Sequence, residues 1–305
     1  MNKISTVVTF TPGYDSLNNL EKCISSVSGF TDEVVVVVNG KSEEISKIAK
    51  KFNAVLFSHE FVNYVERLRN FGIQKAKLDW VLILDPDEEL QGSLAKKLKG
   101  VVKSDLVNYV LVPRKNIIFG KWMKHSRWWP DYNVRFFKKG EVSWSDEIHA
   151  PPVTLGRGME IPINQDLALV HHHYGSIEEY LERMGRYTTI QAVTLKSEGY
   201  KFKWQDLLAK PTSEFLSRYF AGFGYKDGLH GLVVASLQAI SEFVLYLKLW
   251  QVSKFKEVDV VPEDLFKIVK KHRREFDWWV INSFLKSASA PRTLILKIYR
   301  KFFLR

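Results

Sequence analysis

Residues 80–89 read Trp-Val-Leu-Ile-Leu-Asp-Pro-Asp-Glu-Glu, and this stretch narrows the folds open to the chain more than any other. Five apolar residues in a row, Trp80 to Leu84, predict a short strand buried on both faces, and such runs belong to parallel sheets covered by helices. Asp85, Asp87, Glu88 and Glu89 follow at once. These acids repel one another and the first leaves a buried strand directly, so positive charge is expected beside them. Open α/β sheets bind ligands at the carboxyl ends of their strands. Hard cations such as Mg²⁺ or Mn²⁺ take one or two carboxylates together with substrate phosphates. The expectation is a metal- and phosphate-binding strand end at Asp85 and Asp87. The plainer reading is a solvated turn in which Glu88 and Glu89 start the next helix, where acidic side chains suit the dipole.

The chain before this point alternates strand and helix. Residues 4–10 and 33–38 predict buried strands, 55–57 a short third, and 17–27 an amphipathic helix. Further helices are expected from a cap at Ser42 to Phe52 and over 62–77. A β-α-β-α-β-α-β order implies a right-handed, doubly wound α/β sheet. Arg69, on the helix before the acidic strand end, is placed either to brace a diphosphate or to form an ion pair on the helix face. After a helix near 93–103 and a strand near 107–112, short strands and polar turns carry Trp122, Trp128, Trp129, Tyr132, Phe136, Phe137 and Trp144. Aromatic walls stack on sugars and bases, and they also fill cores; both uses are expected here. Ser145-Asp146-Glu147-Ile148-His149 adds a second acidic pair beside a histidine.

Residues 167–170 predict a last strand ending in His171-His172-His173. Imidazole binds Mn²⁺ and other transition metals, so one of the three is expected as a ligand. Three consecutive residues on a strand cannot all point one way. Ser176 is expected to cap a long helix toward Lys196.

The formal net charge is +11, and residues 201–305 hold 19 Lys and Arg against 10 Asp and Glu, a net of +9. A basic end of this kind serves nucleic acid, anionic lipid or acidic substrates. Residues 229–250 are the most apolar long stretch, but Gln238 and Glu242 near its middle argue for a buried or interfacial helix over a membrane span. Leu294 to Arg305 sets Leu294, Ile295, Ile298, Phe302 and Phe303 against Lys297, Arg300, Lys301 and Arg305. That pattern fits a basic amphipathic helix at an anionic membrane surface, or one docked on the domain or on a second subunit. The single cysteine, Cys23, falls on a helical apolar stripe, so core packing is expected. The N-terminus leads directly into a strand pattern, so a cytoplasmic location is expected.

Taken together, these stretches resemble family 2 glycosyltransferases of the GT-A fold. The likeness is to the bacterial branch that builds lipopolysaccharide core and related surface glycans, including its glucosyltransferases. The matching segments are 4–10, 32–38, Arg69-Asn70-Phe71, 79–88, Arg135-Phe136-Phe137-Lys138-Lys139-Gly140, Ile148-His149, His171 with Ser176, Arg186-Tyr187-Thr188, and Phe223-Gly224-Tyr225-Lys226-Asp227-Gly228. The resemblance implies a catalytic domain over 1–205, with a nucleotide-binding half at 1–112 and an acceptor half at 113–205. A helical, basic and apolar extension over 206–305 associates with membrane or with a second copy. It also implies a nucleotide-sugar donor such as UDP-glucose, Mg²⁺ or Mn²⁺ at the diphosphate, inversion at the anomeric carbon, and a lipid-linked glycan acceptor, with no role for nucleic acid. By position, Asp85, Asp87 and His171 match metal-site residues, and Thr11, Asn39, Arg69 and Asp85 the donor site. Trp128, Trp129, Arg135 and His149 are candidates for acceptor binding, and Glu147 or Asp146 for the catalytic base. Two positions depart from the pattern: Asn39 stands where the family has aspartate, and Ala150 where relatives carry glutamate.

Two other functions are compatible with paired carboxylates on this fold class. A nucleotidyltransferase would want a glycine-rich phosphate loop after the first strand, which Thr11-Pro12-Gly13-Tyr14 does not supply. A non-catalytic membrane- or nucleic-acid-binding protein would leave the acidic strand end without a purpose.

Overall fold

The computed structural model describes residues 3–62, 65–145, 151–285 and 293–298. In chain order the elements are β1 (Ile4–Phe10), α1 (Leu17–Val27), β2 (Glu33–Asn39), α2 (Ile45–Lys51), β3 (Val55–His59), α3 (Val65–Lys75), β4 (Trp80–Leu84), β5 (Glu88–Leu90), α4 (Gly92–Ser104), β6 (Tyr109–Ile118), β7 (Lys121–Trp122), β8 (Asp131–Lys138), β9 (Val142–Ser143), β10 (Val153–Thr154), β11 (Gly158–Glu160), β12 (Leu169–Tyr174), α5 (Ile177–Ser197), α6 (Asp206–Leu216), α7 (Leu229–Val252) and α8 (Pro262–Leu285). They form two units. The first comprises Met1–Ile117 with Trp129–His173, and the second Ile118–Trp128 with Tyr174–Arg305.

The first unit is built on a mixed sheet of order β3-β2-β1-β4-β8-β6-β12-β5, with β11 added to β6. The four strands β3, β2, β1 and β4 run parallel, as the alternating pattern predicts. Their apolar runs feed two cores by strict alternation, because successive side chains leave a strand on opposite faces. On one face Val8, Val36, Val38, Leu82 and Leu84 pack with Leu20, Ile24 and Val27 of α1 and Leu94 and Leu98 of α4. On the other, Val7, Val35, Val37, Val81 and Ile83 meet Leu68 and Ile73 of α3. Gly72 sets how near α3 lies to the sheet. A Cβ at that position would stand 2.4 Å from Cγ1 of Val7 and 3.0 Å from Cγ2 of Val37. Cys23 is buried in the first core as expected, and burial pushes its thiol pKa up.

The rest of the sheet departs from the sequence reading at the acidic turn. Glu88 and Glu89 do not start a helix; they lie in β5, where Glu88 pairs with His171 of antiparallel β12. The histidines lie at the end of β12, on the strand expected to end in them. The cause is non-local. The backbone N–H of His172 donates to the carbonyl of Asp87 at 2.9 Å, so the acidic turn and the histidine strand hold each other extended.

The second unit is helical. Ala192 of α5 packs with Leu245, Tyr246 and Leu249 of α7, supported by Tyr200, Phe202 and Leu207. Ile118 and Met123 pack with Val234. These contacts explain why the division falls after His173 and not at residue 205, where composition placed it. Helix α5 buries its stripe against α7, and segment 118–128 joins the same unit. Asp227 anchors that segment, accepting from the His125 backbone N–H and lying 2.9 Å from its Nδ1. Ser176 caps α5 as predicted, its Oγ accepting from the N–H of Glu179 at 3.1 Å. Of the amphipathic C-terminal stretch, residues 293–298 are helical with Leu294, Ile295 and Ile298 exposed, while 299–305 lie outside the described residues.

Candidate active site

The acidic strand end is a buried ionic cluster inside the first unit. Beyond β4 the chain turns at Asp85-Pro86-Asp87, closed by the Glu88 N–H donating to the Asp85 carbonyl at 3.0 Å. The Glu88 carboxylate, 0% exposed, returns the contact by accepting from the Asp85 N–H at 3.0 Å. Its other oxygen accepts from Arg135 at 2.6 Å and from Arg114 at 3.3 Å. Both Asp85 oxygens are taken by guanidinium groups: Oδ1 accepts from Arg69 of α3 at 2.6 Å, and Oδ2 from Arg135 of β8. Burial alone would raise the Asp85 pKa, yet Arg135 and Arg69 hold it well below the usual carboxylate range. Burial likewise disfavours the Arg135 cation, and Asp85 and Glu88 reverse that, so Arg135 stays charged although 2% exposed.

Arg114 of β6 extends the cluster. It grips Asp131 with Nε at 2.9 Å and Nη2 at 2.7 Å. Arg114 and Asp131 are directly opposed in the antiparallel β6–β8 register. Burial raises the Asp131 pKa, but Arg114 and the Asn116 amide outweigh it and leave the pKa lowered. Three carboxylates, Asp85, Glu88 and Asp131, thus meet three guanidinium groups, Arg69, Arg114 and Arg135. The positive charge that the sequence demands beside β4 is supplied by the protein itself. Isolated buried charges cost several kcal/mol each, and pairing with hydrogen bonds makes the cluster tolerable.

Asp87 faces the histidine strand. Its Oδ1 lies 3.5 Å from Nε2 of His171, whose Nδ1 lies 2.6 Å from Oδ1 of Asn116. His173, two residues on and therefore on the same face of β12, brings Nδ1 to 3.3 Å from that Nε2. His172 turns the other way and meets Glu89 at 2.8 Å. Among the described residues no three His, Cys, Asp or Glu side chains gather around one cation position. Asp87 and His171 therefore fit as a pair for a cation that draws its other ligands from substrate phosphates and water. The carboxylate and phosphate oxygens suit Mg²⁺ or Mn²⁺, and of these two the transition metal is the one that better accepts an imidazole nitrogen.

The remaining sequence candidates fall at several places. Thr11 and Asn39 are adjacent, with Asn39 Nδ2 at 3.3 Å from the Thr11 hydroxyl. The Asn39 amide is mostly committed elsewhere: it donates to the Val62 carbonyl and accepts from the Val62 N–H, both at 2.8 Å. That pairing needs a donor and an acceptor on one side chain, which aspartate lacks when ionised. Arg69 is held between Asp85 and the ring of Trp144, 5.6 Å from its centroid. Arg135 stands in the buried cluster, not on an open surface. Trp128 belongs to the second unit, with the Arg218 guanidinium 5.3 Å from its ring centroid; Trp129 is half-buried in the first. Asp146, Glu147 and His149 lie outside the described residues. Sequence reasoning missed Arg114, Asn116 and Asp131. The available signal was Arg114-Lys115-Asn116, two polar side chains sharing one face in a strand that otherwise reads as apolar.

Residues 9–154 match the family model described as glycosyl transferase family 2. The chain is 26% identical over 278 residues to an uncharacterized glycosyltransferase of Rickettsia typhi, covering 87% of this chain and 92% of that one. It is 22% identical over 239 residues to the lipopolysaccharide core biosynthesis glycosyltransferase LpsC of Rhizobium meliloti, covering 76% and 87%. Among solved structures it is similar to S. aureus TarS 1–349 in complex with UDP, with a TM-score of 0.43 and 13% identity over 85% of this chain and 94% of that one.

Proposed function

Through residues 9–154 the chain belongs to glycosyl transferase family 2 and has the GT-A fold, and on that premise we propose that it is an inverting hexosyltransferase. The donor is a nucleotide-diphosphate sugar, UDP-glucose or a close relative, and the acceptor a lipid-linked surface glycan of the lipopolysaccharide-core type. The observation that carries this reading is the pairing of Asp87 with His171 beside the arginine-braced turn at the end of β4. The named role of LpsC supports the acceptor class.

In the proposed reaction an acceptor hydroxyl oxygen bonds to the anomeric carbon as the bond from that carbon to the diphosphate oxygen breaks. The electron pair leaves on the diphosphate, and the hydroxyl proton passes to Glu147 or Asp146. Asp87 and His171 would hold Mg²⁺ or Mn²⁺, which when bound would supply charge neutralisation to the departing diphosphate. Arg69 and Arg135 add fixed positive charge where negative charge develops, and Asp85 and Glu88 keep those guanidinium groups in place before substrate arrives.

Membrane attachment belongs to the same proposal: the enzyme works as a peripheral protein at the inner face of the cytoplasmic membrane. Helix α7 supports it, being long and apolar enough to cross a membrane while only a third of its most apolar window is buried. Leu229, Leu232, Ile240 and Phe243 of α7 are exposed. Helix α8 adds exposed Phe266, Val269 and Trp278 beside Lys267, Lys270, Lys271 and Arg274, which line a cavity of about 450 Å³ together with Trp279.

The experiment is turnover of a nucleotide-sugar panel by purified protein with Mn²⁺, reading free nucleoside diphosphate. Asp87→Ala should lower turnover of the accepted donor by about 100-fold or more. Undiminished turnover, or release of pyrophosphate in place of nucleoside diphosphate, would overturn the assignment.

A further inference from the structure

The two ring nitrogens of a histidine are distinct, and which one carries the proton decides whether the other can bind a cation. In the first unit that choice is made three residues away from the cation position. Arg114 donates to Asp131 from Nε and Nη2, so the Asp131 carboxylate is held in its acceptor-only form. Asn116, 1% exposed, places one end of its amide 3.1 Å from Oδ2 of that carboxylate. Only the NH₂ end can donate there, so the amide oxygen must point the other way, toward His171 Nδ1 at 2.6 Å. An oxygen cannot donate, so Nδ1 carries the hydrogen.

We propose that Asn116 is a positioning residue that fixes neutral His171 as its Nδ1–H tautomer, so that Nε2 carries a lone pair and no hydrogen. The donors then run in one direction. His173 Nδ1–H gives to His171 Nε2, His171 Nδ1–H gives to Asn116, and Asn116 gives to Asp131, which Arg114 anchors. Free imidazole in water has no such constraint. The protein has therefore selected, before any cation arrives, the one neutral form of His171 that can be a ligand through the nitrogen 3.5 Å from Asp87. Partners of this kind are worth 10–100-fold in metal affinity elsewhere, because they fix both ring orientation and tautomer.

The inference deepens the proposed cation pair and rests on it for its use, though not for its test. The first measurement is the ¹⁵N spectrum of the histidine side chains in metal-free, full-length protein, at a pH well above the usual imidazole value of about 6.5. His171 is assigned as the signal lost in His171→Gln. A protonated, pyrrole-like Nδ1 with a bare, pyridine-like Nε2 is expected. Asn116→Ala should move His171 toward the Nε2–H form, and Asp131→Asn, which lets the Asn116 amide invert, should give a mixture. An Nε2–H or doubly protonated His171 in the wild type overturns the inference, and so does an Asn116→Ala spectrum identical to the wild type. The wild-type spectrum decides alone if the variants do not fold.

The second measurement is Mn²⁺ titration followed by electron paramagnetic resonance in the presence of UDP. Asn116→Ala should weaken Mn²⁺ binding about 10–100-fold, with a smaller loss in Asp131→Asn. Unchanged binding in Asn116→Ala overturns the positioning role. Failure of the wild type itself to bind Mn²⁺ would count against the proposed metal pair instead, and the nitrogen spectrum would still decide the tautomer.

Discussion

The two units carry their charge in opposite ways. In the first, Glu88 and Arg135 are enclosed in the interior, and the half-buried Asp85 is paired with both Arg135 and Arg69. In the second, Lys267, Lys271 and Arg273 of α8 stand in the open beside exposed Phe266 and Val269. Buried charge demands fixed partners and gives a rigid site; exposed charge next to apolar surface demands none and suits a surface that meets something else. Under the proposed function the first unit would hold small charged ligands in one geometry, and the second would supply the surface that meets a membrane.

The contrast breaks most easily at Arg135. Arg135→Ala leaves Asp85 and Glu88 with an unmatched charge in the interior, and denaturant unfolding should show a loss of about 3–5 kcal/mol. Replacing Arg273, largely exposed beside Asp277, should cost less than about 1 kcal/mol by the same measurement. Equal costs would dissolve the distinction. Next in size is Gly72→Val. Overpacking against Val7 and Val37 should cost about 1–3 kcal/mol, and an unchanged melting temperature would mean that α3 can lift from the sheet.

Acid sharpens the comparison further. The folded-state pKa of Asp131 is lowered, so its contribution is fully present above the unfolded value of about 3.9 and is lost as pH falls through the lowered one. Thermal melts across that range should flatten in Asp131→Asn relative to the wild type. A parallel pair of curves would remove Arg114–Asp131 from the account of stability. Smallest are the charges of α8. Each of Lys270→Glu and Lys271→Glu should weaken co-sedimentation with anionic vesicles by more than the roughly 1 kcal/mol expected for deleting a basic residue near a lipid surface, and raised salt should weaken wild-type binding as well. Deleting residues 290–305 tests the C-terminal helix in the same assay. Sedimentation indifferent to all three changes would favour helices docked within the protein or on a second copy.

What the sequence disclosed was what is written locally. The runs of β1, β2 and β4, the stripe of α1 and the cap at Ser176 are patterns of unbroken apolar sequence, of period three to four, and of one turn, and each appears in place. The acidic strand end was legible as an unsolved charge. Its solution was not, because Arg135 lies 50 residues and Arg114 26 residues from the carboxylates they meet. Only the antiparallel placement of β8 beside β4 and β6 brings them there. For the same reason Glu88 could not be seen as a strand residue before its partner β12 was known. Composition changes near 205, whereas packing divides the chain after His173 and groups α5 by the face that it buries against α7.

Asn39 bears on motion as well as on contact. Its amide holds Val62 by both backbone groups in a connection that is neither strand nor helix, next to the exposed Glu60 and Phe61. Amide hydrogens in such connections ordinarily exchange with solvent at nearly the rate of an open chain, while those of core strands exchange only on larger openings. Val62 should behave as a core amide set in a surface segment, exchanging slowly beside the faster amides of Glu60 and Phe61. Its exchange rate then becomes a clock for one side chain: Asn39→Asp should start it, and the amides of β2 and β3 should continue as before.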